Sequence, residues 1–133
     1  HSMGNGYTPI YTEKKRKTLI NRERKRLLEI FENVESKHKQ TVEKLIDEAA
    51  FMTATLTETR EIIIRDGIVD EYKNGENQFG TKKSAAVQVY DKMLNTYTKV
   101  IKQLCDILGE IPKGSGESDP GEELVKFLTE HRA

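Results

Sequence analysis

The chain has 133 residues, of which 35% are hydrophobic and 33% are charged, so one domain with a thin apolar core is expected. Its 22 basic and 22 acidic residues balance, which excludes a net charge that would attract a polyanion. No apolar run reaches membrane-spanning length and no signal peptide is recognisable, so we expect no membrane partner. The single cysteine, Cys105, excludes an internal disulfide and fits a reducing compartment.

The N-terminal part of the chain is predicted to be an arm followed by a basic helix. Residues 1–12 contain glycines and Pro9 and are predicted to be flexible, and His1-Ser2 resembles the remnant of a purification tag. A helix is predicted over residues 13–35. A basic helix of this kind can lie along a phosphate backbone without reading bases, and a solvated face that aids solubility is the alternative. The candidate DNA-binding residues are spread around this helix: Lys14, Lys15, Arg16, Lys17, Arg22, Arg24, Lys25 and Arg26.

Two long amphipathic helices are predicted within residues 36–109. The first runs from about Ser36 to Arg65, and the second follows Ser84 as N-cap and ends near Gly109. In both, apolar residues recur three and four positions apart, which predicts an antiparallel helical hairpin in an all-α fold. The residues assigned to its core and to contacts between subunits are Leu45, Met52, Leu56, Tyr72, Phe79, Met93, Tyr97 and Leu104.

The stretch "IVDEYKNGENQFG" interrupts the helical pattern between these two helices. Residues 68–73 and 76–79 flank Asn74-Gly75, a dipeptide that favours a two-residue β-turn, and Gly67 is predicted to end the preceding helix. The pattern predicts either a small β-hairpin or an ordered loop without strands. Because an isolated hairpin is only marginally stable, we expect this element to pack on the helices or on a neighbouring subunit.

The C-terminal part, residues 110–133, is predicted to be a linker followed by a short amphipathic helix. Gly114 and its neighbours form the linker, and Asp119-Pro120 reads as the start of the helix. Such a short helix needs a partner for its apolar face. The residues assigned to partner binding are Leu124, Phe127 and Leu128.

Residue patterns of known catalytic chemistry are absent from the sequence. There is no phosphate-binding loop, dinucleotide fingerprint, zinc-ligand spacing or nucleophile motif, and His38 and His131 each stand alone. We therefore expect a protein that is not an enzyme and has no metal and no cofactor. The carboxylates of the first long helix are expected to be solvated: Asp47, Glu48, Glu58 and Glu61.

About half of the chain resembles a known family. The run from "VEKLIDEAAFMTATLTETREIIIRDG" through "IVDEYKNGENQFG" to "KSAAVQVYDKMLNTYTKVIKQLCDILG" is similar to the core of the small terminase subunits of tailed phages, in the P27-like group. The shared features are a long helix ending in Gly, a short extended segment with a turn, and a second long helix ending in Leu-Gly. Family members often begin the second helix with Pro, where this chain has Lys83-Ser84-Ala85-Ala86.

The resemblance implies a non-enzymatic component of a viral DNA-packaging machine, present in the cytoplasm of the bacterial host of a phage or prophage. Such subunits form homo-oligomeric rings, bind double-stranded viral DNA, and recruit or regulate the large terminase subunit with its ATPase and nuclease. The hairpin would then be an element between subunits, and the apolar face of residues 110–133 would dock on the large subunit. The alternative is a non-viral coiled-coil regulator that dimerises and binds a protein partner.

Overall fold

The computed structural model describes residues 8–73 and 79–109, which form three helices and a small antiparallel sheet. The all-α fold with a β-hairpin between two long helices is confirmed. The predicted C-terminal helix, with Leu124, Phe127 and Leu128, lies outside the described residues. The elements in chain order are α1 (Glu13–Ile30), α2 (Ser36–Asp66), β1 (Val69–Lys73), β2 (Phe79–Lys83) and α3 (Ala85–Leu108).

Local chemistry explains where the helices begin and end. The Thr12 hydroxyl oxygen accepts a hydrogen bond from the Lys15 N–H at 3.1 Å and caps the start of α1. As predicted, Gly67 ends α2, where it adopts a φ of 84° that other residues rarely adopt. The predicted cap at Ser84 is also present, because its hydroxyl oxygen accepts from the Val87 N–H at 3.2 Å.

The central element is α2, on which α1 and α3 both pack in antiparallel orientation. Its 31 residues give a helix of about 46 Å. The main core lies where the C-terminal ends of α1 and α3 meet the N-terminal half of α2. It consists of Leu27, Phe31, Val42, Ile46, Ala49, Leu104 and Leu108.

The structure places the predicted seam residues at different depths. Met52, Leu56 and Leu104 are buried. Leu45, Met93 and Tyr97 are half-buried, while Tyr72 and Phe79 lie in the strands with side chains outside the described part. Burial on α2 is broader than the predicted seam because this helix has partners on two sides. The additional buried residues include Ile46, Ala50, Ala54 and Ile62.

The register of the hairpin differs from the prediction. The second strand was predicted at residues 76–79, but β2 begins at Phe79 and pairs Lys83 with Val69. The ends of the two long helices set this register, because the Ser84 N–H donates to the Ile68 carbonyl at 3.0 Å directly beyond the last strand pair. Residues 74–78, which include the predicted Asn74-Gly75 turn, lie outside the described residues.

Candidate nucleic-acid interface

The eight basic residues predicted to bind DNA all lie on α1, but their surroundings divide them into two groups. Four form ion pairs within the chain: Arg16, Lys17, Arg24 and Arg26. The other four are exposed and form no ion pair with any described residue: Lys14, Lys15, Arg22 and Lys25. The second group is therefore more available to a polyanionic ligand than the first.

Arg16 holds the start of α1 against α2. Its Nε and Nη2 atoms donate to the two carboxylate oxygens of Glu58 at 2.7 and 3.0 Å. Glu58 also accepts from the backbone N–H groups of Ile10 and Tyr11 at 3.0 and 3.1 Å. The two bonds from Arg16 attach the start of α1 to the C-terminal half of α2, and the two backbone bonds attach Ile10 and Tyr11 there, although these two residues were predicted to be part of a flexible arm.

The expectation that Glu58 is solvated is wrong, since only 8% of its side chain is exposed. The hydrogen bonds from Arg16 hold the pKa of the Glu58 carboxyl below its ordinary value, and burial opposes this effect only in part. A pattern in the sequence could have identified the position. Ile46, Ala50 and Ala54 precede Glu58 at four-residue spacing and are all buried, so Glu58 continues a second buried stripe of α2.

Arg26 likewise forms an ion pair within the bundle. Its Nη1 atom lies 2.9 Å from the Glu23 carboxylate, and both side chains are mostly buried. Burial raises the pKa of the Tyr97 hydroxyl, while a hydrogen bond with Thr53 lowers it and the charge of Glu23 raises it further. Arg26 lowers the pKa of Tyr97, so the charges of Glu23 and Arg26 on α1 act on this side chain of α3 in opposite directions.

Two further basic residues form ion pairs at the surface. Arg24 Nε lies 2.6 Å from the Asp47 carboxylate, and Lys17 Nζ lies 2.9 Å from the Glu13 carboxylate. Exposed pairs of this type contribute little to stability, typically below about 1 kcal/mol. Their cations are nevertheless partly neutralised, which lowers their attraction for phosphate.

The four unpaired cations lie together on one side of α1, and we call Lys14, Lys15, Arg22 and Lys25 the basic face. At 3.6 residues per turn they fall within an arc of about 100° and extend about 16 Å along the helix. Lys15 Nζ lies 5.1 Å from the centre of the Tyr11 ring, a cation–π contact that leaves the ammonium group exposed. The sequence pattern had suggested basic residues spread around the helix rather than confined to one face, which holds for all eight but not for the four without an ion pair.

This geometry suits a phosphate backbone. The phosphates of one DNA strand recur about every 3.4 Å along the duplex axis, so 16 Å corresponds to about five steps. Side chains of Lys and Arg on an exposed helix face can contact several phosphates without entering a groove. Because ion pairs of Arg16 with Glu58 and of Arg24 with Asp47 connect α1 to α2, the basic face lies on a helix that is held against the bundle.

Other chemistry is not indicated by the described residues. Within residues 8–73 and 79–109, no group of three or more His, Cys, Asp or Glu side chains could hold a metal ion. None of the helices described is both long and apolar enough to cross a bilayer.

Comparisons with protein-family models, curated proteins and solved structures found no match to this chain.

Proposed function

We propose that this protein is an oligomeric, non-enzymatic DNA-packaging adaptor of the terminase small-subunit type, encoded by a phage or prophage and acting in the host cytoplasm. It binds double-stranded viral DNA through the basic face of α1. The observation that supports this proposal is the segregation of α1 cations, since Lys14, Lys15, Arg22 and Lys25 are exposed while Arg16 and Arg26 are used inside the bundle.

The proposed binding mode is electrostatic and independent of base sequence. Each phosphate contact contributes about 0.9 to the slope of log K against log salt, so the four cations of one chain give a slope of about −3.6. Raising the salt from about 50 to about 200 mM would then weaken binding by one chain about 150-fold. A single chain would be a weak ligand at physiological salt.

Several copies are needed to make this surface effective. The contact with α2 does not cover the whole apolar face of α3. Val87 and Ile101 are only half-buried, and Leu94 is exposed. These three residues recur every seven positions, a spacing typical of a helix with a second partner. A homo-oligomer would cover this stripe and present several basic faces to one duplex, which increases the effective concentration of each contact.

The large terminase subunit is the second proposed partner, and its contact is assigned to Leu124, Phe127 and Leu128 on the sequence alone. Truncation after Lys113 is expected to abolish co-purification with the large subunit. Oligomer mass and DNA affinity should stay within error of the full chain, because the core and α1 are retained. Undiminished co-purification of the truncated protein would move this contact elsewhere.

The DNA-binding proposal is tested with two variants, each of which removes two positive charges from α1 at different positions. Arg22→Gln with Lys25→Gln changes the basic face, and Lys17→Gln with Arg24→Gln changes cations that are already paired. Binding to a fluorescent duplex at about 100 mM salt should weaken at least about tenfold in the first variant and no more than about threefold in the second. Equal effects of the two variants, or no effect of the first, would refute the role of the basic face.

A second candidate is a coiled-coil regulator that dimerises and binds a protein partner. It is favoured by the exposed apolar residues of the long helices, such as Phe51 and Leu94, which would suit a protein ligand as well as another copy. This candidate predicts a dimer without salt-sensitive DNA binding. The duplex titration described above therefore distinguishes the two functions.

A further inference from the structure

The two strands of the hairpin differ in charge, because β1 contains Asp70, Glu71 and Lys73 whereas β2 contains Lys82 and Lys83. In β1, Asp70 is half-buried and Glu71 is exposed, and in β2, Lys82 is exposed. Asp70 and Lys82 are direct partners in the strand register, yet neither they nor Glu71 form an ion pair with any described residue. Lys83 differs, because its Nζ lies 2.9 Å from the Asp91 carboxylate. The hairpin therefore has one strand with two carboxylates and one lysine and one strand with two lysines, and Asp70, Glu71 and Lys82 form no ion pair with a described residue.

An apolar surface adjoins β1. Ile64 at the end of α2 is 77% exposed, Ile68 is 63% exposed, and Val69 in β1 is 52% exposed. These three large aliphatic residues lie within six positions and form an exposed apolar surface, whose contact with water is unfavourable. A partner that covers them would gain free energy from removing this surface from water.

The sheet also has open edges. A sheet of only two strands leaves one outer edge on β1 and one on β2, each with backbone N–H and C=O groups outside the ladder. Such an edge pairs readily with another strand, and two strands alone are marginally stable. The hairpin is thus suited to extension by strands of other molecules.

We infer that the hairpin joins copies of this chain head to tail, with the β1 edge of one copy against the β2 edge of the next. This inference rests on the proposed oligomer and adds a contact at the hairpin to the one proposed for α3. Asp70 of one copy would lie opposite Lys82 of its neighbour on the same face of the combined sheet, and Ile64, Ile68 and Val69 would be covered. The strands would alternate in direction throughout, so the combined sheet is antiparallel.

The charges of the two strands favour contact between a β1 edge and a β2 edge over contact between two identical edges. Joining two β2 edges would bring four lysines together, and joining two β1 edges would bring four carboxylates together with only two lysines. Like charges directly opposite each other in neighbouring strands are destabilising. Contact between a β1 edge and a β2 edge leaves the smallest net charge. A contact between unlike surfaces repeats from copy to copy and closes into a ring when the rotation permits.

Charge reversal in single positions tests the contact. Asp70→Lys places lysines at both positions 70 and 82, and Lys82→Glu places carboxylates at both, so each variant alone should lose the oligomeric mass of the wild type. A mixture of the two should regain it, because every contact between the two variants places a lysine opposite a carboxylate. The double variant Asp70→Lys with Lys82→Glu should also assemble, since it exchanges the two charges within one chain.

The mixture controls for damage to the hairpin itself. In each single variant the opposed pair has like charges within its own chain, and mixing does not relieve that repulsion. Recovery on mixing therefore reports contacts between copies. Wild-type mass in either single variant, or a mixture that stays dissociated, would overturn the inference. If a charge reversal reduces helix content, the neutral variants Asp70→Asn and Lys82→Gln replace it in the test. Each should weaken assembly at least about tenfold. Wild-type assembly of both neutral variants would also overturn the inference.

The same samples separate this inference from the proposed function. An oligomer that depends on Asp70 and Lys82 but does not bind duplex DNA would retain the contact and refute the DNA-binding role. An oligomer that binds DNA while both single variants keep the wild-type mass would refute the contact alone.

Discussion

The carboxylate of Glu58 should be the most important polar group for the stability of the bundle. Glu58→Gln keeps the shape of the side chain but replaces the charge that accepts bonds from Arg16, Ile10 and Tyr11. Breaking a fully buried ion pair costs about 3–5 kcal/mol, but 39% of the Arg16 side chain is exposed and can return to water. We therefore expect the free energy of unfolding to fall by about 2 kcal/mol.

Urea unfolding followed by circular dichroism measures this loss. Glu61→Gln is the matched control on the same helix, because Glu61 is exposed and its substitution should change the free energy of unfolding by no more than about 0.5 kcal/mol. Hydrogen exchange gives a local test. The amides of Ile10 and Tyr11 should exchange faster in Glu58→Gln, whereas the amide of Val87, capped by Ser84, should not change.

The pH dependence has a defined sign. The pKa of Glu58 is lowered in the folded chain from its ordinary value of 4.5, so its contribution is complete above that pH and is lost as the pH falls through the folded pKa. The stability difference between wild type and Glu58→Gln should therefore shrink below pH 4.5. Equal stability of Glu58→Gln and Glu61→Gln at neutral pH, or unchanged exchange at Ile10 and Tyr11, would refute the role of Glu58.

Three further substitutions and one control test the core and the helix ends by urea unfolding. Leu104→Ala should cost about 3 kcal/mol because Leu104 is fully buried, whereas Leu94→Ala, at an exposed position of the same helix, should cost less than about 1 kcal/mol at concentrations where the chain is monomeric. Equal costs would contradict the orientation of α3. Gly67→Ala should cost about 1–2 kcal/mol, since the φ of 84° is strained for alanine although no atom lies within 4 Å of the added methyl group. Ser84→Ala should cost about 1 kcal/mol through the lost cap, and an unchanged unfolding midpoint would show that the Val87 N–H finds another acceptor.

The long helices could be predicted because their determinants are local. The three- and four-residue spacing of apolar positions identified α2 and α3, and the turn and cap preferences of Gly67 and Ser84 placed their ends. The register of the hairpin could not be predicted in this way. The Asn74-Gly75 dipeptide favoured a short turn, but pairing between Val69 and Lys83 is imposed by the helices that carry the strands.

The candidate site shows the same division between local and long-range causes. All eight cations of α1 could be recognised from composition, but the distinction between Arg16 and Arg22 depends on Glu58, which lies 42 residues after Arg16. A search for one apolar seam on α2 also misses Glu58, because its environment is made by a second partner helix. Only the stripe of Ile46, Ala50 and Ala54 carried that information in the sequence.

The salt dependence of duplex binding by the wild-type protein tests the central claim most directly. One basic face accounts for a slope of log K against log salt of about −3.6, so an oligomer that engages DNA through several copies should give a steeper slope. Fluorescence anisotropy with one duplex at about five salt concentrations is sufficient to determine it. A slope clearly steeper than about −3.6 would support an oligomeric DNA-binding adaptor. A shallower slope would contradict the use of several copies, and a slope near zero would contradict DNA binding itself.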